Sequence, residues 1–179
     1  MIGAAFWAGT SVVDSPKQPT TTTSTATTST ELIEFRDEKA GWAISYPKSW
    51  NRLNPDPNDR DVVLVVSENN QRGSIKARVI DLGTSIEEGK LAELTDELVM
   101  TEGVRMITQP ATIRQGGLPG RFYFYTFNDP ASGQEGVHSH YFLFKGSTMI
   151  SFVFQALPKD DFQRLANLFD EVTASFRVF

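Results

Sequence analysis

Three apolar segments follow one another between residues 121 and 156, and they constrain the fold more than any other feature of the chain. "RFYFYTF" (121–127), "VHSHYFLF" (137–144) and "MISFVFQA" (149–156) are separated only by "NDPASGQEG" and "KGST". Segments of this length, rich in aromatic and β-branched residues and bounded by Gly, Asn, Asp and Ser, read as strands joined by short loops. The first and third are apolar on both of their faces. A strand of that kind is covered on both sides, so layers are expected above and below the sheet.

The upstream sequence supplies more strands. "WAISY" (42–46) lies between Gly41 and Pro47 as a strand should. "DVVLVVSE" carries a continuous apolar run from Val62 to Val66, and "SIKARVIDL" (74–82) alternates as its antiparallel partner across "NNQRG". "VRMITQPATIR" (104–114) reads as a strand pair or as one strand broken at Pro110, and "GGLPG" (116–120) as a turn.

Two helices are expected. In the first, Ser85 and Glu88 stand in the spacing of a capping box, Leu91, Leu94 and Leu98 recur at helical intervals, and Gly103 supplies a left-handed stop. In the second (159–176), Phe162, Leu165, Leu168, Phe169, Val172 and Phe176 form one stripe, with Asp160 and Asp161 at the positive end of the helix dipole. No parallel βαβ alternation occurs. The expected class is therefore α+β, an antiparallel sheet flanked by helices on both faces, an α/β/α sandwich.

The N-terminus has a different character. Residues 1–13, "MIGAAFWAGTSVV", are apolar or small but too few for the roughly 17–25 residues that cross a bilayer, and they hold no Lys or Arg. They read as the remnant of a signal or anchor segment. Residues 14–30, "DSPKQPTTTTSTATTST", hold almost nothing that packs and read as a disordered, solvated Thr- and Ser-rich linker. The folded domain is then 31–179, and the expected location is outside the cytoplasmic membrane, secreted or anchored by the N-terminus.

Composition excludes several functions. The net charge of −5 argues against nucleic acid as a partner. The absence of cysteine removes disulfides, thiolate nucleophiles and thiolate metal sites. There is no GxGxxG, P-loop or GxSxG pattern, and the neighbouring carboxylates Glu87–Glu88 and Asp160–Asp161 point apart on a helix. "DPNDRD" (56–61) departs from a calcium loop where Arg60 and Asp61 stand, and reads as a solvated acidic turn.

From Gly117 onward, "RFYFYTF", "DPASGQEGVHSH", "KGSTMISFVFQA" and "LFDEVTASFRVF" resemble the PsbP-like proteins, and "GWAISYPKSW" resembles the strand that opens their domain. The resemblance spans about residues 31–179. Gly133, Glu135, Gly136, Gln155-Ala156 and Ser175-Phe176 carry it as fold markers. It implies an antiparallel sheet between helices and a family that docks to other proteins without sharing a reaction. Its members include an extrinsic subunit of photosystem II, envelope proteins and a factor that binds the GTPase Ran. The Thr-rich linker, and the lack of a match to the photosynthetic member's N-terminal arm, place a photosystem II subunit behind an envelope relative.

Two sets of residues are candidates for function. His138 and His140 share one strand face roughly 7 Å apart, and with a third ligand from a neighbouring strand, or from Glu135 or Asp129 in the loop, they form a candidate divalent metal site. The same face runs on through Phe142 and Phe144, so the alternative is a pair of hydrogen-bonded structural imidazoles. Trp50 and Tyr46, beside Trp42, are candidate partner-binding aromatics, with core packing as the alternative. No catalytic residue and no organic cofactor is expected. The leading reading is a non-enzymatic accessory module acting through protein–protein contacts with an unidentified, membrane-associated partner; the second is a metal- or small-ligand-binding envelope protein using His138 and His140.

Overall fold

In the computed structural model, the described residues are 30–101 and 103–179. The expected signal or anchor remnant, 1–13, and the Thr- and Ser-rich stretch after it lie outside them. The strands are β1 (Leu32–Asp37), β2 (Trp42–Pro47), β3 (Asn51–Leu53), β4 (Val62–Ser67), β5 (Gly73–Asp81), β6 (Arg105–Met106), β7 (Ala111–Gln115), β8 (Leu118–Asn128), β9 (Glu135–Lys145), β10 (Thr148–Ala156) and β11 (Arg177–Val178). The helices are α1 (Leu91–Val99) and α2 (Phe162–Ala174), each entered through a single 3-10 turn.

The strands form two antiparallel sheets. The larger runs β3-β4-β5-β10-β9-β8-β6, with β7 sharing the free edge of β8, and the smaller runs β1-β2-β11. The three segments that dominate the sequence are its central hairpins, β8 to β9 to β10, in unbroken register. The "VRMITQPATIR" stretch is two strands, both paired to β8.

Period-2 alternation sorts the side chains between two faces. On one, Ile150, Phe152, Phe154 and Ala156 of β10 pack with Leu165, Phe169 and Val172 of α2 in the main core. The small sheet joins this face through Trp42, which is fully buried against Phe35, Phe152 and Phe176. Fully burying a large apolar side chain contributes about 1.5–3 kcal/mol, so this cluster also fastens the small sheet to the large one. On the opposite face a second cluster gathers Tyr123, Phe142, Phe144 and Met149 under Leu91 and Val99 of α1.

The α+β class and the antiparallel pairing hold, but one sheet with a full helical layer on each face is not the arrangement found. One face carries α2 together with the small sheet. The other carries only the nine-residue α1, over the end of the strands near Met149. Helix α1 also buries a different stripe from the expected one: Leu91, Thr95 and Val99 face inward, while Leu98 is 50% exposed. Thr95 wins the inward position because its one hydroxyl hydrogen finds a buried acceptor in the Leu91 carbonyl at 2.6 Å or the Tyr123 oxygen at 2.5 Å, while Tyr123 donates to Asp96 at 2.6 Å. A polar residue on the inner stripe is tolerated when its hydrogen bonds are met.

The expected capping box does not form. Glu87, not Ser85, precedes the first turn, without a side-chain cap. Glu88 pairs instead with Arg114 of β7.

Candidate functional site

The uncovered part of the second face holds His138 and His140. Register sets Tyr125 opposite His138 and Tyr123 opposite His140 on one side, and Gln155 opposite His138 and Val153 opposite His140 on the other. Beyond β10, Ser74, Lys76, Arg78 and Ile80 of β5 pair with Gln155, Val153, Ser151 and Met149. The two histidines and these residues of β5 and β10 line a groove of about 360 Å³, with Leu98 of α1 at its rim and the tyrosines outside its lining.

A continuous hydrogen-bonded ladder crosses the floor. The Tyr125 hydroxyl lies 3.1 Å from His138 Nδ1 and 3.2 Å from His140 Nδ1. His138 Nε2 meets Gln155 Oε1 at 2.9 Å, and His140 Nε2 meets Ser151 Oγ at 2.8 Å. With the amide oxygen of Gln155 turned to the ring, one direction of donation satisfies every member. His138 Nε2–H donates to Gln155, Tyr125 O–H donates to His138 Nδ1, His140 Nδ1–H donates to the Tyr125 oxygen, and Ser151 O–H donates to His140 Nε2. The two imidazoles are therefore opposite tautomers.

Aromatic rings clamp the ladder at both ends. Phe127 stacks on His138 and Phe142 lies against His140, each with ring centroids 4.0 Å apart. Phe127 has room because Gly136 has no side chain: a Cβ there would come within 2.5 Å of that ring.

This environment keeps both rings neutral. Burial, reinforced by the charge of Lys76, lowers the His138 pKa to about 4. Burial, with His138 and Arg78 nearby, lowers that of His140 to about 3. Burial alone raises the Tyr125 hydroxyl to about 12.

The expected third metal ligand is not with the histidines. Strand β9 begins at Glu135, so alternation already applies there and sends Glu135 to the face opposite His138 and His140. It pairs with Arg105 and Lys159, and the Lys159 contact is the main reason its carboxyl is held below the usual range. Asp129 is engaged by Ser132 in the loop. Among the described residues no three His, Cys, Asp or Glu side chains form a metal-binding group. A metal at His138 and His140 would have to displace Gln155, Ser151 or Tyr125 from the rings.

Trp50 and Tyr46, the expected partner-binding aromatics, are 8% and 6% exposed. Trp50 wedges between Phe169 of α2 and Gly73, where a Cβ would lie 2.9 Å from its ring. Core packing, the alternative reading, describes both. In the 56–61 turn, Asp56 accepts from Asn58 and Asp59 pairs with Arg78 at 2.6 Å, so these two carboxylates are held by protein partners.

Sequence reasoning did not single out Tyr125, Ser151, Lys76 or Arg78. The available signal was parity: each lies an even number of residues from a neighbour on its own strand face, as in Lys76 and Arg78 on "SIKARVIDL".

No family model and no curated protein matches the sequence. Solved structures do. The cyanobacterial PsbP (CyanoP) of Synechocystis sp. PCC 6803 is 17% identical, with 86% of this chain and 96% of that one covered at a TM-score of 0.59. LpqN of Mycobacterium tuberculosis, described as involved in cell envelope biogenesis, is 12% identical over 83% of this chain and 90% of its own, at 0.59. The Ran-binding protein Mog1p of Saccharomyces cerevisiae is 13% identical over 84% and 96%, at 0.54. The fold of this chain is the PsbP-like fold.

Proposed function

We propose that the chain is a non-enzymatic accessory or binding module that works outside the cytoplasmic membrane by contact with another protein, and that the open face of the larger sheet is its binding face. The observation that carries this reading is the closure of the imidazole ladder on itself. Each ring nitrogen of His138 and His140 has a protein partner, and the groove wall contains no carboxylate. A general base needs a free lone pair within reach of a substrate proton. A concave surface whose imidazoles are satisfied within the protein, with Leu98 and Met100 exposed at the end of α1, is suited to recognition.

The printed descriptions of the similar structures support binding and envelope roles: Mog1p is Ran-binding and LpqN serves cell envelope biogenesis. The export part of the reading rests on residues 1–30, acting as a leader or tether. No helix among the described residues is long and apolar enough to cross a membrane.

Photo-crosslinking residues placed at Ser74 and Leu98, with a third at exposed Glu171 on α2, test the reading. The expected result is one protein captured from native membranes by the first two positions and not by the third. Capture of no protein, or equal capture from all three, refutes it.

A further inference from the structure

The groove is chemically graded along its length. At one end Ser74 and Gln155 face each other beside His138, and Lys76 follows one pair further along. At the other end Ile80 and Met149 face each other, with Phe142 adjoining and Leu98 above. From Val153, the partner of Lys76, to Met149 strand β10 advances about 13 Å, so the cation and the apolar end are separated by the length of a medium hydrocarbon chain.

Charge is equally uneven. In a chain of net charge −5, the groove wall carries two cations and no carboxylate. Arg78 shares its charge with Asp59, but among the described residues Lys76 has no ion-pair partner. It is also half-buried beside neutral imidazoles. A half-buried ammonium without a counter-ion favours an anion in the space beside it.

We infer that the groove binds a monomeric single-chain carboxylate, with the head at Lys76 and the polar end, and the hydrocarbon tail lying along β5 and β10 beneath Leu98. Ser74 is placed to donate to the head, and the volume falls within the ~300–1,000 Å³ of small-molecule sites. This inference rests on the reading of the open face as the binding surface.

Isothermal titration of the full chain with decanoate, below its micellar concentration, tests it. Decanoate is expected to bind at one site. Acetate, which lacks the tail, and decyltrimethylammonium, which reverses the head charge, are expected not to bind measurably. Lys76→Met should weaken decanoate by roughly 10- to 100-fold, the worth of a charge-assisted hydrogen bond. Leu98→Ser, at a position that is 50% exposed, should weaken it through the tail without changing the charge.

The inference is overturned if decanoate fails to bind, binds Lys76→Met as well as the parent, or is matched by decyltrimethylammonium. It is also overturned if the chain floats with anionic vesicles and takes up no monomeric decanoate, which would indicate a bilayer surface as the ligand. Should decanoate fail while the Ser74 and Leu98 crosslinkers still capture their protein, the ligand is wrong and the binding face stands.

Discussion

Replacing Tyr125 by Phe removes one oxygen and no carbon, and so isolates the ladder. The hydroxyl serves both imidazoles, at 3.1 Å and 3.2 Å, and no other described group replaces it at either Nδ1. His138 is left with an unpaired acceptor and His140 with an unpaired donor. At about 1–2 kcal/mol for each half-buried polar atom deprived of its partner, the variant should lose roughly 2–4 kcal/mol of stability. The ring remains to fill its space against His138, so no cavity contributes. Denaturant unfolding of parent and variant at pH 7, with equal slopes, gives the difference. Imidazole nitrogen shifts add a readout that packing alone would not move: in the parent, His138 should be protonated at Nε2 and His140 at Nδ1. A loss below about 0.5 kcal/mol, the range of an ordinary surface change, or two rings in the same tautomer, would refute the directional ladder.

Gly120→Ala should cost more than Gly136→Ala, because the new Cβ would meet the main-chain oxygen of Phe142 at 2.2 Å in the first case and the movable Phe127 ring at 2.5 Å in the second; melting temperatures of the two variants decide it. Trp50→Ala should destabilise by about 3–5 kcal/mol in denaturant, as for a core aromatic, where an exposed partner anchor would cost little stability. Stability should fall as pH drops from about 6.5 towards 4, because the folded state holds His138 and His140 at pKa values of about 4 and about 3 while the unfolded chain takes up protons near 6.5. More protons on the unfolded chain mean that stability rises with pH, by up to about 1.4 kcal/mol per unit for each ring, and is fully present above 6.5. His138→Gln should reduce that slope, and a slope unchanged by the substitution would be the contrary result.

Much of the architecture follows from local chemistry. The β8-β9-β10 succession, the β4-β5 hairpin and α2 are legible because strand and helix periods recur over enough residues to exceed local noise. Helix α1 is less legible: three leucines at helical spacing point to one stripe, but Thr95 displaces it by placing its hydroxyl between the Leu91 carbonyl and Tyr123, a residue 28 positions away. The smaller sheet was missed for a similar reason. Its strand β11 is two residues long, and it exists only because α2 delivers Arg177 and Val178 to β2.

The sequence by itself determined that His138 and His140 share a face, but it left Glu135 in the loop as a candidate ligand; only the start of the strand at residue 135 in the structure separates it from them. The sequence determined as well that the chain has no cysteine and carries a net negative charge. Only the tertiary structure decided what stands beside those imidazoles. Tyr125 arrives from β8, Gln155 and Ser151 from β10, and Lys76 and Arg78 from β5, sixty or more residues away along the chain. Strand order and register are set by the summed burial of both faces, a property of the whole sheet, so no single segment encodes which charges line the groove or which end of it α1 leaves open.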